Sequence, residues 1–289
     1  MSKPCTLCPR ECKVDRSEKL GFCGRSDKLT VARKALHFWE EPPISGKNGS
    51  GTVFFTGCSL RCIFCQNHEI STGDNHGREV TPKELSDMFF ELVDEGAHNI
   101  NLVTPTHYAD KIAEALSIKK LPVPVVYNCG GYEKIETLKM LEGLVDIYLP
   151  DFKYSEPELG KALSKVDDYP TVCENAIAEM LRQQPENVYD EDGMMQKGVI
   201  IRHLILPLHT KNSIKVLERI AEKFPNVPVS LMAQYTPIAE FEDFPELNRG
   251  ITRREYDKVL DKMEELNLDG FVQDRKSKGE KFIPDFDLK

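Results

Sequence analysis

From residue 51 onward the sequence alternates two hydrophobic periodicities, and this alternation is the tightest constraint on its fold. Short runs rich in β-branched and aromatic residues (GTVFFTG, NINLV, VPVVYN, VDIYL, VIIRHLIL and VPVSLMA) read as strands. Helical stretches separate them. In TPKELSDMFFELVDEG, Thr81 is an N-cap, Pro82 suits the first turn and Glu84 completes a capping box. Leu85, Met88, Phe89, Leu92 and Val93 form its apolar face, and Gly96 supplies the stop. YADKIAEALSIKK, YEKIETLKMLEG, two stretches around 156–165 and 171–183, SIKVLERIAEKF and RREYDKVLDKMEEL continue the series. An acidic loop, PENVYDEDGMMQKG, precedes the fifth strand, and GFVQ offers a last one. The rhythm predicts a parallel α/β sheet with right-handed crossovers. About six units fit, fewer than the eight of a closed barrel, which leaves an open partial barrel or a doubly wound sheet. In either, ligands sit at the C-terminal ends of the strands.

Residues 1–50 differ: they are polar, cysteine-rich and turn-rich, and read as a metal-binding segment and connector preceding a barrel at 51–289. With 289 residues, 40% hydrophobic and 29% charged, the chain can bury a substantial core. No apolar run approaches the ~20 residues that cross a bilayer, and MSKPCTLCPRECK does not resemble a signal peptide. The expected setting is the cytoplasm, with no membrane partner. A net charge of −9 without a strong basic stripe argues against a dedicated nucleic-acid binder, and the run at 274–281 reads as a solvated tail.

Nine cysteines, an odd count in a chain of this length, do not suggest a secreted disulfide framework. Cys5, Cys8, Cys12 and Cys23 form one group and Cys58, Cys62 and Cys65 another, which points to metal chemistry. The second group begins as the first strand ends, at the expected ligand-binding face. A structural zinc site takes four protein ligands, and three thiolates would make zinc-bound water a poor acid. An iron–sulfur cubane held by three thiolates instead leaves one iron open, so the spacing favours an open-cornered cluster. The first group supplies four thiolates, suited to tetrahedral zinc that braces the segment or to a filled cluster that relays electrons. Cys129 reads as a small buried residue; the competing role is a cluster contact or hydrogen-atom donor.

The stretch CSLRCIFC matches the CxxxCxxC signature of the radical S-adenosylmethionine (radical SAM) superfamily. CQNHEIS and CPRECKVDR…GFCG resemble a subgroup related to pyruvate formate-lyase activating enzyme. The resemblance implies a partial (β/α)6 TIM-like barrel with a [4Fe–4S] cluster on Cys58, Cys62 and Cys65 and SAM as the missing fourth ligand. Reductive cleavage of SAM would give a 5′-deoxyadenosyl radical that abstracts hydrogen from a substrate, with activation of a glycyl radical enzyme as one form of that chemistry. Phe64 would pack near the adenine. Lys153 would pair with the SAM carboxylate, and Asp151 would orient it or help hold a cation. Arg202, set in an apolar strand, requires a carboxylate from SAM or from a core aspartate. Asn128 would contact ribose or carboxylate. The family's Gly-Gly-Glu-like stretch is missing after the second strand, leaving backbone carbonyls or Thr104 and Thr106 to meet the SAM amino group. Tyr235 stands where the activating enzymes carry a histidine, and His203 reads as a packing residue. The implied partners are a reductant such as flavodoxin or ferredoxin and a protein substrate. Two other classes fit the cysteines: an electron-transfer protein without SAM chemistry, and a zinc-organised interaction module in which Cys129 completes the three-cysteine loop.

Overall fold

A computed structural model describes residues 4–73, 77–272 and 286. Strand β1 (Thr30–His37) is followed by the short helix α1 (Pro42–Ser45) and β2 (Ser50–Phe55). After the cysteine loop come α2 (His68–Ser71), β3 (Arg78–Glu79) and α3 (Pro82–Asp94). The alternation continues through β4 (Ile100–Val103), α4 (Ala109–Ile118), β5 (Val125–Cys129), α5 (Ile135–Met140) and β6 (Ile147–Pro150). Helices α6 (Pro157–Ser164) and α7 (Tyr169–Gln183) precede β7 (Val188–Tyr189), β8 (Met195–Val199) and β9 (Ile201–Leu204). The described elements end with α8 (Thr210–Lys223), β10 (Val229–Met232), α9 (Arg253–Glu265) and β11 (Gly270–Val272).

One sheet has the order β3-β1-β2-β4-β5-β6-β8-β7, and a second has β11-β10-β9. The pairs from β2 through β6 to β8 are parallel, as are those of the second sheet. Every residue of β2, β4, β5, β6 and β10 is buried, which explains the near-continuous apolar runs in sequence. The result is a partial TIM-like barrel, open rather than closed. Helix α3 starts with the expected reciprocal cap: the Glu84 N–H donates to Thr81 Oγ1 at 3.2 Å, and the Thr81 N–H donates to Glu84 Oε2 at 2.8 Å.

The run VIIRHLIL divides between the sheets. The Ile200 N–H donates to the Tyr148 carbonyl at 3.0 Å, beside β6, whereas the Ile201 N–H donates to the Pro228 carbonyl at 3.0 Å, beside β10. At this seam Asp151 and Arg202 form a parallel bridge, and the Phe152 N–H donates to the Arg202 carbonyl at 2.7 Å. The acidic loop before the fifth strand is partly ordered: it contains the antiparallel pair β7–β8. Asn187 fastens it by accepting the Val199 N–H at 2.8 Å and donating to the Val199 carbonyl at 3.2 Å.

The N-terminal segment packs on the barrel. β1 pairs antiparallel with β2. The Arg10 guanidinium donates to the carbonyls of Ser59 at 2.8 Å, Leu60 at 3.5 Å, Ser164 at 2.7 Å and Lys165 at 2.6 Å, and lies 3.7 Å over the Phe22 ring centroid. Arg16 donates to the His107 carbonyl at 2.5 Å, and Thr137 Oγ1 donates to the Leu7 carbonyl at 2.7 Å. No helix among the described residues is long and apolar enough to cross a membrane. The charged run at 274–281 lies outside the described residues.

The turn after β5 needs glycine for two reasons. Gly131 has φ +75°, and a Cβ there would lie 2.1 Å from the Asp151 carbonyl oxygen; Gly143 has φ +80° with nothing within 4 Å of a Cβ. Gly143→Ala therefore carries only the backbone cost of roughly 1–2 kcal/mol, while Gly131→Ala adds a backbone collision and should cost clearly more, above about 3 kcal/mol. Urea unfolding of the two variants side by side checks this ordering.

Candidate active site

A cavity of about 200 Å³ opens at the C-terminal ends of the strands. Cys62, Phe64 and Cys65 of the loop after β2 line one side; Asn128 from β5, Asp151 and Lys153 after β6, and Arg202 from β9 line the other. Leu204, Met232 and Gln234 extend the wall along β9 and β10. The structure thus gathers most of the residues singled out by sequence. Cys58 does not line the cavity, but its sulfur accepts the Leu60 N–H at 3.4 Å and it interacts electrostatically with Cys62 and Cys65.

Asp151 organises the charges. Its Oδ1 accepts from Arg202 Nε at 2.9 Å and Nη2 at 2.8 Å, and its Oδ2 accepts from Lys153 Nζ at 2.5 Å. Arg202 Nη2 also donates to Asn128 Oδ1 at 2.6 Å. Burial pushes the Asp151 carboxyl upward, and the Arg202 and Lys153 charges more than reverse this, holding it below the usual carboxylate range. Burial alone would lower the pKa values of Lys153 and Arg202; Asp151 reverses the effect and keeps both cations charged. The expected carboxylate partner of Arg202 is therefore present within the fold.

A second carboxylate was not anticipated. Glu40, in HFWEEPP just after β1, lines the cavity with His37 and Trp39. Its Oε1 accepts from Asn101 at 3.2 Å and Asn128 at 3.4 Å, and its Oε2 lies 3.4 Å from Arg202 Nη1. Burial raises the Glu40 pKa, opposed by Arg202. The sequence signal was an acidic pair next to aromatics in a stretch read as connector.

Other candidates lie elsewhere. Thr104 does not line the cavity; it takes φ +60°, and its N–H donates to the Asn128 carbonyl at 2.9 Å, while neighbouring Val103 lines the wall. Thr106 donates to Glu133 Oε1 at 2.8 Å. Cys129 is buried and does not line the cavity, with Glu133, Asp151 and Cys173 among its electrostatic neighbours. This removes the basis for Cys129 as a fourth ligand, because side chains alternate along β5 and Asn128 takes the inward position. His203 is buried, with Nδ1 2.6 Å from the Phe152 carbonyl, the packing role expected of it. Tyr235 donates to the Leu247 carbonyl at 2.7 Å, and its ring meets that of Phe64 edge-on at 6.4 Å.

Burial pushes the Cys58 thiol up to about 12, with the neighbouring Cys62 and Cys65 adding to the rise. Burial also raises Cys65, followed by Cys62, while the Ser71 hydroxyl and Lys153 oppose the shift. A cationic iron centre would supply the compensation that three clustered thiolates need. A cubane places its thiolates on separate irons, so the donor set fits three corners of such a cluster. The N-terminal group is also gathered. Burial raises Cys8 to about 12 and raises Cys23, and both interact electrostatically with Cys5; a Cβ at Gly21 would lie 3.2 Å from Cys23 Sγ and 3.6 Å from Cys12 Sγ. Among the described residues, no three His, Cys, Asp or Glu side chains are arranged to hold a single metal ion.

Comparison with known proteins accords with this geometry. A sequence model described as the radical SAM superfamily matches residues 52–182, taking in most of β2, the three-cysteine loop and the cavity residues from Phe54 to Lys153. The chain belongs to the radical SAM superfamily. It is 34% identical over 276 residues to an uncharacterized protein of Methanocaldococcus jannaschii, covering 92% of this chain and 76% of that one. It is 26% identical over 188 residues to the pyruvate formate-lyase-activating enzyme of Listeria monocytogenes, covering 61% and 70% respectively. Among solved structures, Streptococcus suis SuiB bound to precursor peptide SuiA aligns with a TM-score of 0.53, covering 75% of this chain and 46% of that one at 15% identity. A radical SAM methyltransferase from Sphaerobacter thermophilus aligns with a TM-score of 0.51, covering 85% and 77% at 12% identity. Both structures share this chain's fold; the chain spans under half the length of SuiB.

Two outcomes follow for the buried charges. Asp151→Ala leaves part-buried Lys153 without its carboxylate and Arg202 with only Glu40 and Glu41, and should cost about 2–4 kcal/mol in urea unfolding. Burial raises Glu133 from 4.5 to about 7, opposed by hydrogen bonds from Thr106 and Tyr127. The fold keeps this proton to a higher pH than the unfolded chain does, so its contribution to stability falls as pH rises between those values. Glu133→Gln should remove that fall, with the variant gaining on wild type by up to about 3 kcal/mol from pH 4.5 to 7.

Proposed function

We propose that this radical SAM protein is an enzyme holding a [4Fe–4S] cluster on Cys58, Cys62 and Cys65 and binding SAM in the adjoining cavity. The observation that carries this reading is the three-thiol loop facing, across one cavity, two part-buried cations locked on Asp151. When bound, these groups supply reductive cleavage of SAM to methionine and a 5′-deoxyadenosyl radical that abstracts hydrogen from a substrate.

The chain's own residues bind and orient. Lys153 and Arg202 offer N–H donors to the SAM carboxylate, and Asp151 fixes both in place. Asn128, already held by Arg202, offers a further polar contact. Phe64, Leu204 and Met232 give the cavity apolar walls that limit water access, and the adenine packs near Phe64 in this reading.

The similarity to a pyruvate formate-lyase-activating enzyme supports a protein substrate, with activation of a glycyl radical enzyme as the specific form. The reductant is a protein such as flavodoxin or ferredoxin, and the setting is the cytoplasm. Residues 1–50 act as a metal-binding segment and connector, and 51–289 as the catalytic barrel; of the two centres open to Cys5, Cys8, Cys12 and Cys23, zinc or a second cluster, the cluster accords better with thiols that do not converge on a single ion.

The test is anaerobic reconstitution with iron and sulfide, dithionite reduction, addition of SAM and chromatography for 5′-deoxyadenosine. Wild type should form it, and a Cys58/Cys62/Cys65→Ala variant should fall at least about a hundredfold, to background. A wild-type protein with an intact reduced cluster and bound SAM that yields no product, even with candidate glycyl radical enzymes present, would overturn the reading. Metal analysis of Cys8/Cys23→Ala in parallel should show loss of the second centre.

A further inference from the structure

A second cavity, of about 390 Å³, lies on the outer side of the cysteine loop. Arg25, Arg61, Ser26, Ser71, Thr72 and Cys23 line it. None of these residues lines the cavity at the strand ends. Three of them connect it to the thiols. Arg61 is itself on the loop, between Cys58 and Cys62. The Cys23 carbonyl accepts the Cys58 N–H at 3.3 Å. Ser71 places its hydroxyl beside the Cys65 thiol.

The charge at this cavity runs against that of the whole chain. The protein carries a net −9, yet two guanidinium groups line this cavity. One acid, Glu79, also lines it and is paired with Lys28 at 3.0 Å. Arg61 is anchored by donation to the Phe22 carbonyl at 3.3 Å. Leu20, 64% exposed, adds an apolar contact at the rim. A cationic concavity with an apolar edge suits an acidic protein surface and would steer its approach.

The cavity at the strand ends is committed, in the proposed function, to cofactor and substrate, so an electron donor needs a different approach to the cluster. We propose that the outer cavity docks the acidic face of a small one-electron donor protein, and that electrons enter the cysteine loop from this side. In each event the donor is oxidised by one electron and the cluster on Cys58, Cys62 and Cys65 is reduced by one. This inference rests on the proposed function.

The test compares reduction of the reconstituted full-length protein by flavodoxin hydroquinone, by reduced ferredoxin and by dithionite, followed anaerobically as loss of cluster absorbance. Ser26→Glu/Thr72→Glu puts two negative charges at the cavity, Thr72→Lys adds a positive one, and Ser117→Glu on α4 is the control. Donor-protein reduction of the double variant should slow at least about tenfold at low salt, with the difference shrinking as salt rises. Thr72→Lys should be faster than wild type, Ser117→Glu unchanged, and dithionite rates within about twofold throughout. Equal donor-protein rates in wild type, Thr72→Lys and the double variant would overturn the docking site, as would failure of both donor proteins to reduce a cluster that dithionite reduces. Failure of wild type to assemble a cluster or cleave SAM with dithionite would instead overturn the proposed function.

Discussion

Asp151 holds the structure's two halves and its two cavity cations together. It lies where the sheet containing β6 meets the sheet beginning at β9, and its side chain binds Arg202 across that seam while also binding Lys153. A buried ion set of this kind contributes little net stability compared with an apolar replacement of the same shape, because desolvation offsets the Coulomb gain. Its value lies in directing the cations. Arg202 cannot swing away without leaving Asp151, and Lys153 is held by the same carboxylate. The strand seam and the ligand-facing charges are therefore one feature, and the partial barrel presents its cations with little conformational freedom left to lose on binding.

The N-terminal segment matters for the same reason. Glu40, His37 and Trp39 enter the cavity from the residues that close β1, so the wall includes groups from outside the repeating strand–helix units. On the opposite side, Arg10 ties the first cysteines to the loop carrying Cys58 and to the end of α6. Four carbonyl acceptors around one guanidinium satisfy its planar fork without a counter-carboxylate, and Phe22 covers its face. The segment thus braces the second cysteine group whatever metal its own thiols hold.

How much of this could be read from the sequence depended on the range of the interaction. The strands β2, β4, β5 and β6 and the helices α3 and α4 were legible, because burial on one or both faces writes a period into several consecutive residues. The Thr81–Glu84 cap was legible because both partners lie within one turn. The hairpin β7–β8 was not. Its first strand is two exposed residues, and the Asn187 contacts that hold it bridge twelve positions. The cysteine spacing and the residues at strand ends named most of the cavity wall, since a strand end fixes where a side chain goes. Glu40 and the outer cavity depend on how the N-terminal segment folds back, and no local pattern encodes that. Thr104 shows the converse limit: a strand-end position was predicted, but a left-handed backbone takes it off the wall.

The charges in the cavity also bear on what it can accept. Glu40 and Asp151 face Arg202 and Lys153, and the buried Glu41 also acts on Arg202, so carboxylates outnumber cations around it. A purely anionic ligand would bring excess negative charge into a buried site, at a desolvation cost that these already-paired cations could only partly offset. A ligand end bearing both a carboxylate and an ammonium changes the pairing without changing the total. Its carboxylate can share Lys153 and Arg202, and its ammonium can face Glu40, whose pKa is raised by burial and would be relieved by a nearby positive charge. The amino-acid end of SAM is such a group. The charge balance therefore favours the proposed ligand independently of the cysteine spacing, and it does so through a residue that the strand-and-loop pattern had not revealed.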